Sequence, residues 1–506
     1  MKTIKARFLA VPLLLLLTLV LSAQQPAQPK APGSSGKAPS ALNPEHRRTG
    51  VPGSWQQVPI PPLHKFTPQQ PRRFELPNGM VVFLQEDHEL PVISGTLRIR
   101  GGARDEPAEK AGLNAMYSEV WRTGGTKSKT GDQLDDFLES HAAHVETSAG
   151  ADSTFLNWSS LKENFEQVFP VVLDVLENPE FREDKIDLAR KQFFSQISRR
   201  NDEIDDIAHR ESIKLAYGAE NPYARTPEYY TVSAITRQDL LNWHKRTVAP
   251  NNIILGVSGD FDSAAIERKL RETLGSLPKG EPFPRTQIAF HESKPGIYFI
   301  EKDDVNQSDI SMVDLGTDRR NPDYYAIEVM NELFGGGFSS RLVNNVRTIQ
   351  GLAYAVGGGV GTAFDHPGVV HISVGTKSGT TAKAIEAVNQ QIAELIKGGV
   401  TQDELKKAKD SILNSFIFAF DSKDKVLAER MAYEFHGYPA DFLERYRAGI
   451  EKVTAADVDR VAKKYIHPDH MAILVVGSSK DFDRELATFG KVTSIDISIP
   501  QKKPGM

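Results

Sequence analysis

Residues 234–262 read AITRQDLLNWHKRTVAPNNIILGVSGDFD, and residues 452–483 read KVTAADVDRVAKKYIHPDHMAILVVGSSKDFD. Laid over each other without gaps, they keep a constant offset of 218 residues. Thr236 meets Thr454, Asp239 meets Asp457, Pro250 meets Pro468, Val257 meets Val475 and Gly259 meets Gly477. Both copies read the same way physically. Thr stands where a helix needs an N-cap, apolar residues recur at helical spacing, Pro ends the helix, and a short apolar run suited to a buried strand follows. A repeat of this length indicates a duplicated domain rather than a solenoid of short units.

Working outward, each half shows strands in neighbouring groups, set apart from runs of helices. In the first half, NGMVVFLQEDHELPVISGTLRIRGG reads as two strands joined by a short turn, with Asn78-Gly79 at its start. Helices are expected from about 108 to 121, near 131–141 and through 161–217, with a strand in DSTFLNWSSL between them. The second half opens with strands in GIYFIEK and SDISMVDLG. Helices near 322–333 and 338–348, strands near 353–377 and three or four further helices to about 466 follow. This grouping predicts an α+β fold of two homologous domains, each a mixed or antiparallel sheet packed by helices. The expected boundaries are 73–276 and 295–490, with a linker over 277–294 that begins LPKGEPFP and a tail over 491–506.

The chain has 506 residues, too many for one ordinary core. Its net charge of −5 argues against a nucleic-acid binder, which presents a basic face. The absence of Cys excludes a disulfide scaffold, thiolate metal sites and thiol catalysis. The N-terminus runs from MKTIKAR through FLAVPLLLLLTLVL to SAQQ, a basic region, a short apolar run and a small-residue exit. That reads as an export signal over 1–23, cleaved after Ala23; an uncleaved anchor is the alternative. Residues 24–72, rich in Pro, Gln and Ser, read as a linker with little to bury. No later stretch is apolar enough to span a membrane. The expected location is therefore exported, periplasmic or secreted.

The segment AGLNAMYSEVWRTGGT, residues 111–126, follows the second strand. Together with ELFGGGFSSRLVNNVRTIQGLAYAVGGGV, residues 332–360, it closely resembles the pitrilysin/insulinase family of zinc peptidases, over about residues 73–485. In that family the first helix carries His-x-x-Glu-His. Two His one turn apart hold zinc, the Glu acts as base on zinc-bound water, and a Glu from a later helix completes the ligands. The resemblance places Ala115 and Glu119 at the His positions, Ser118 at the base and Gln196 at the third ligand. Ala has no lone pair, Ser is no strong base, one carboxylate is not a site, and Gln is a weak ligand. No catalytic and no metal-binding residues are therefore expected here, and the bland reading of Ala115, Met116 and Val120 is helix packing.

Two His pairs stand elsewhere. His141 and His144 lie in ESHAAHVE, and His467 and His470 in IHPDH. Either pair is capable of binding a metal, but neither has an evident third ligand. His467-Pro468 sits in the repeated turn, where the other copy reads Ala249-Pro250.

The second motif is intact. In the family, an Arg followed seven residues later by a Tyr reaches across to the zinc-bearing domain and binds the substrate backbone. The matching residues are Arg347 and Tyr354. Both groups can donate hydrogen bonds to a carbonyl oxygen as charge develops on it. Read without the resemblance, they are a surface Arg and a half-buried strand Tyr. Gly335-Gly336-Gly337 permits close backbone approach, and Ser339 or Ser340 is a candidate cap. With no Gly-Lys-Ser/Thr, a nucleotide loop is excluded. Arg341 is assigned to structure.

The resemblance therefore implies one half of a clam shell. It would be a non-catalytic, substrate-binding subunit of a two-chain peptidase, with zinc supplied by a partner chain and a peptide as substrate. The alternatives are a stand-alone peptide-holding scaffold, or an active zinc peptidase with atypical ligands.

Overall fold

The computed structural model describes residues 69–501; the expected signal peptide and almost all of the first linker lie outside them. The strands are β1 Arg72–Glu75, β2 Val81–Glu86, β3 Val92–Arg100, β4 His144–Ala149, β5 Ser153–Leu161, β6 Ile253–Gly259 and β7 Gly296–Glu301. They continue with β8 Gln307–Leu315, β9 Thr317–Asp318, β10 Ala355–Ala363, β11 Pro367–Lys377, β12 Ala472–Gly477 and β13 Val492–Ser494. They form two sheets, β1-β2-β6-β3-β5-β4 and β13-β7-β12-β8-β11-β10-β9.

The two sheets repeat one topology. β2 and β7 run parallel to β6 and β12, and every later step from there to β4 or β10 is antiparallel. The helices Arg237–Thr247 and Ala455–Tyr465 begin and end at the 218-residue offset. Thr236 and Thr454 each accept the N–H of Asp239 or Asp457 in a capping box. Removing such a cap costs about 1 kcal/mol.

β2 and β3 do not pair with each other: β6 lies between them, parallel to one and antiparallel to the other. β12 separates β7 and β8 in the same way. A short connection between two strands therefore marks a split pair here, filled by the strand that closes the repeat. Five helices occupy 381–465, one more than the upper expectation. Residues 491–501 are not a free tail. β13 pairs with β7, the Ile495 N–H donates to the Phe299 carbonyl (2.9 Å), and Ile495 and Ile497 pack beside Leu474. No helix among the described residues is long and apolar enough to cross a membrane.

One face of each sheet carries its own helices, and the strand pattern shows why. Alternate residues of β3, Ile93, Leu97 and Ile99, are buried against Met116, Val120, Trp121 and Leu134. The opposite faces are covered reciprocally. The helix Ile204–Tyr217, from the first half, packs Ile207 and Ala208 on Ile300, Leu474 and Val476 of the second sheet. The helix Lys423–His436, from the second half, packs Leu427, Met431 and Phe435 on Phe83 and Ile254 of the first.

At the end of the latter helix the lobes meet in a cationic, aromatic junction. The guanidinium carbons of Arg98 and Arg100 lie 3.9 and 4.2 Å from the Phe435 ring centre. His436 stacks on Phe364 at 4.4 Å, and Arg104 donates to Asp365 at 2.9 Å.

Candidate functional site

The helix Leu113–Thr123 is held at its start by Glu106, whose carboxylate accepts the N–H groups of Gly112 (2.8 Å) and Asn114 (2.9 Å). A carboxylate at a helix N-terminus is well placed for those unpaired donors. Burial nevertheless pushes the Glu106 carboxyl up to about 7. Met116, Tyr117, Val120 and Trp121 face the core, fully buried. Tyr117 shares a hydrogen bond with His244 (2.8 Å), whose burial lowers its pKa to about 4.

The positions that would carry chemistry are now defined. Ser118 is buried, and its hydroxyl donates to the carbonyl of its own helix at Ala115, 3.0 Å away. Glu119 is exposed, and its carboxylate makes no hydrogen bond or ion pair. Gln196 is exposed on the helix Glu183–Arg199, which packs against Leu113–Thr123. The set holds no imidazole, a single carboxylate and no base, so these residues do not fit a catalytic zinc ion.

Beside this helix runs β4, the edge of the first sheet, paired only with β5. Thr147 of β4 donates to the Ser118 carbonyl, and Arg122 to the Val145 carbonyl (2.9 Å). On the face of this sheet beside Lys423–His436 lies a cavity of about 410 Å³, lined in part by Thr96, Arg98, Phe155, Leu427 and Met431.

In the second lobe the expected helices near 322–333 and 338–348 take a different form. Tyr324–Asn331 is α-helical, but Glu332–Gly336 and Val343–Ile349 are π-helical turns, which are rare and recur at functional sites. Gly335 lies against β10, where a Cβ would sit 2.5 Å from the Gly358 carbonyl oxygen. Ser340, rather than Ser339, accepts the N–H of the following turn, at Val343 (3.4 Å). Arg341 forks onto Glu404 at 2.7 and 3.1 Å, a structural pairing.

Arg347 projects from the second π-turn, exposed, and makes no hydrogen bond or ion pair. Tyr354 is 52% exposed; its ring lies across Gly375 of β11, where a Cβ would collide with it. Its hydroxyl has no hydrogen-bond partner. Burial, with the charges of Asp309 and Asp205, raises the Tyr354 pKa, so the phenol stays a donor. Phe338 and Ile349 stand exposed nearby in sequence, at 86% and 75%.

Among the described residues, no third metal ligand gathers at His141 and His144; His141 bonds the Phe137 carbonyl (2.8 Å) and stacks on the Phe137 ring. His467 and His470 do have a third group within reach, Asp314, which lies 153 positions upstream of His467 and left no signal in the sequence. A second cluster, Asp152, Asp365 and His436, lies in the lobe junction, where Arg98 and Arg104 already engage the carboxylates.

The two-sheet fold and the eroded helix together define a protein of M16 peptidase type whose zinc-motif positions carry no ligand set. Residues 81–226 match the family model described as insulinase (peptidase family M16), and residues 234–412 match the one described as peptidase M16 inactive domain. The chain belongs to the M16 peptidase family. It is 23% identical over 410 residues to a non-peptidase homolog, YmxG, of Helicobacter pylori, covering 79% of this chain and 92% of that one. It is 21% identical over 408 residues to an uncharacterized zinc protease of Bacillus subtilis, covering 80% and 98%. An M16 inactive domain structure from Pseudomonas fluorescens superposes with a TM-score of 0.72 at 25% identity, covering 81% of this chain and 98% of that one.

Proposed function

We propose that this chain is the substrate-binding, non-catalytic subunit of a two-chain M16 zinc peptidase. The observation that carries the reading is a contrast within one molecule. The helix Leu113–Thr123 has one carboxylate, Glu119, and no ligand set able to hold or use zinc, yet the Arg347 and Tyr354 side chains are exposed and make no hydrogen bond within the chain. Donors kept free of internal bonds suit a ligand oxygen that arrives from outside.

In this reading the partner chain brings His-x-x-Glu-His and its zinc. Arg347 and Tyr354 orient the peptide and donate to the carbonyl oxygen that gains charge. The exposed edge of β4 favours an extended peptide, since an unpaired strand edge can accept one by backbone hydrogen bonds. Export through residues 1–23 belongs to the same proposal and would place the pair outside the cytoplasm.

The test is reconstitution. The purified chain is mixed with an M16 chain from the same genome that carries an intact zinc motif, and cleavage of an unstructured peptide is followed. The expected result is activity from the mixture, little from either chain alone, and loss of it with Arg347→Ala. A zinc chain fully active alone, and unchanged by this one, would refute the proposal.

A further inference from the structure

The repeated turn before β12 carries chemistry that its first copy lacks. We propose that Asp314, His467 and His470 bind a divalent transition-metal ion of the imidazole-seeking class, zinc foremost, where the segment 278–295 enters the second lobe.

His467 precedes and His470 ends the short 3₁₀ turn Pro468–His470. Residues i and i+3 eclipse in such a turn, so both rings leave it on one side, with centres 5.2 Å apart. Asp314, near the end of β8, is only 7% exposed. Its Oδ1 accepts the Leu315 N–H (2.8 Å) and the Ser293 hydroxyl (2.9 Å). Its Oδ2 accepts no hydrogen bond, and the carboxylate has no ion-pair partner. That oxygen is therefore free to ligate an ion that arrives from solvent.

The three ligand atoms lie within 4.8 Å of one another, yet no hydrogen bond joins them. A gap ringed by two imidazoles and a carboxylate is what an ion fills. Zinc bonds of about 2.0–2.1 Å require the ligands to close by on the order of 1 Å, which the exposed rings can do by rotation. Ser293 supplies outer support: its hydroxyl also contacts the His470 carbonyl oxygen (2.9 Å), tying carboxylate and turn together. With two neutral nitrogens and one oxygen, the site suits zinc, nickel or copper better than calcium or magnesium.

The first copy of the repeat acts as an internal control. The same turn there reads Ala249-Pro250-Asn251-Asn252, and the place of Asp314 is taken by buried Ile99. That turn holds the inter-lobe segment without any metal ligand, through Asn252 and the backbone at Glu281 and Phe283. The fold therefore does not require His or Asp at these positions.

The experiment titrates zinc calorimetrically into the chelator-treated chain and four variants: His467→Ala, His470→Ala, Asp314→Asn and Glu119→Ala. The expected result is one equivalent bound by wild type and Glu119→Ala, and binding weakened on the order of tenfold or more in the other three. Matching thermal midpoints of the metal-free proteins establish that the variants are folded. No binding by wild type at millimolar zinc, or binding unchanged in both His variants, overturns the proposal. Zinc lost only in Glu119→Ala overturns it too and also counts against the non-catalytic reading, whereas loss confined to the His variants leaves that reading intact.

Discussion

The Ser118 hydroxyl and the Ala115 carbonyl oxygen are joined by a 3.0 Å hydrogen bond within one turn of the same helix. The group standing where a catalytic base is expected is thus turned onto its own backbone. Ala115 and Glu119, one turn apart, lie on the less buried side of the helix. Imidazoles placed there would not disturb Met116, Tyr117 or Trp121. Ala115→His, Glu119→His and Gln196→Glu together, in a His467→Ala background, should bind one equivalent of zinc that His467→Ala alone does not. Equilibrium dialysis checks this; a folded triple variant that binds none would show that the ligand register is wrong.

Arg347→Ala and Tyr354→Phe should separate stability from activity. Both side chains are exposed and unpartnered, so each change should shift unfolding free energy by less than about 0.5 kcal/mol. Losing one donor to a developing oxyanion costs on the order of 10² in rate. Urea unfolding beside peptidase assays of the reconstituted pair measures both. A large stability loss would mean that these residues are structural.

Gly375→Ala probes the same tyrosine without touching it. The added Cβ collides with the Tyr354 ring. Because the ring is half exposed it can swing away, so the expected stability loss is under about 1 kcal/mol, with an activity loss close to that of Tyr354→Phe. Full activity would place the working position of Tyr354 away from β11.

The repeat, its caps and the two motifs were legible because each is local. Thr236 and Asp239, three positions apart, announce a capped helix start, and Pro250 announces its end. What the sequence did not show is which surface meets which. The helix Lys423–His436 has an apolar side, but nothing in its residues says that Met431 covers the other half's sheet. The split pairing of β2 and β3 was hidden for the same reason, because the inserted strand β6 lies more than 150 positions away. The π-turns at 332–336 and 343–349 differ from α-helix by one residue per hydrogen-bonded ring, and apolar spacing does not resolve that. Asp314 joins His467 and His470 only through the sheet.

The exchanged helices make the two lobes thermodynamically dependent. Met431→Ala removes packing from Phe83 and Ile254, and Ile207→Ala removes it from Ile300 and Leu474. Each should cost about 2–5 kcal/mol, although each residue lies in the half opposite to the sheet it covers. Calorimetry should show one transition moving as a whole in both variants. Two separable transitions, with only one shifted, would show that the exchange does not couple the lobes.

Asp309 gives the chain a pH dependence of defined sign. It lies on β8 among Ser311, His371 and the ring of Tyr354. Burial chiefly, with the charge of Asp205, pushes its carboxyl up to about 7, against the Ser311 hydrogen bond that would lower it. The folded state therefore binds this proton more tightly than the unfolded chain, whose carboxyl titrates near 3.8. Its contribution to stability is complete below that value and is lost as pH rises through 7. At about 1.4 kcal/mol for each tenfold change in proton affinity, the loss is bounded at about 4 kcal/mol. Asp309→Asn removes the titration while keeping an acceptor for Ser311. The variant should therefore gain on wild type between pH 5 and about pH 7 and level off above that in urea unfolding. Buried His244, with its pKa lowered to about 4, makes both proteins less stable in acid. That effect cancels in the difference, so a gap that stays constant across the range would show that Asp309 is ionised throughout.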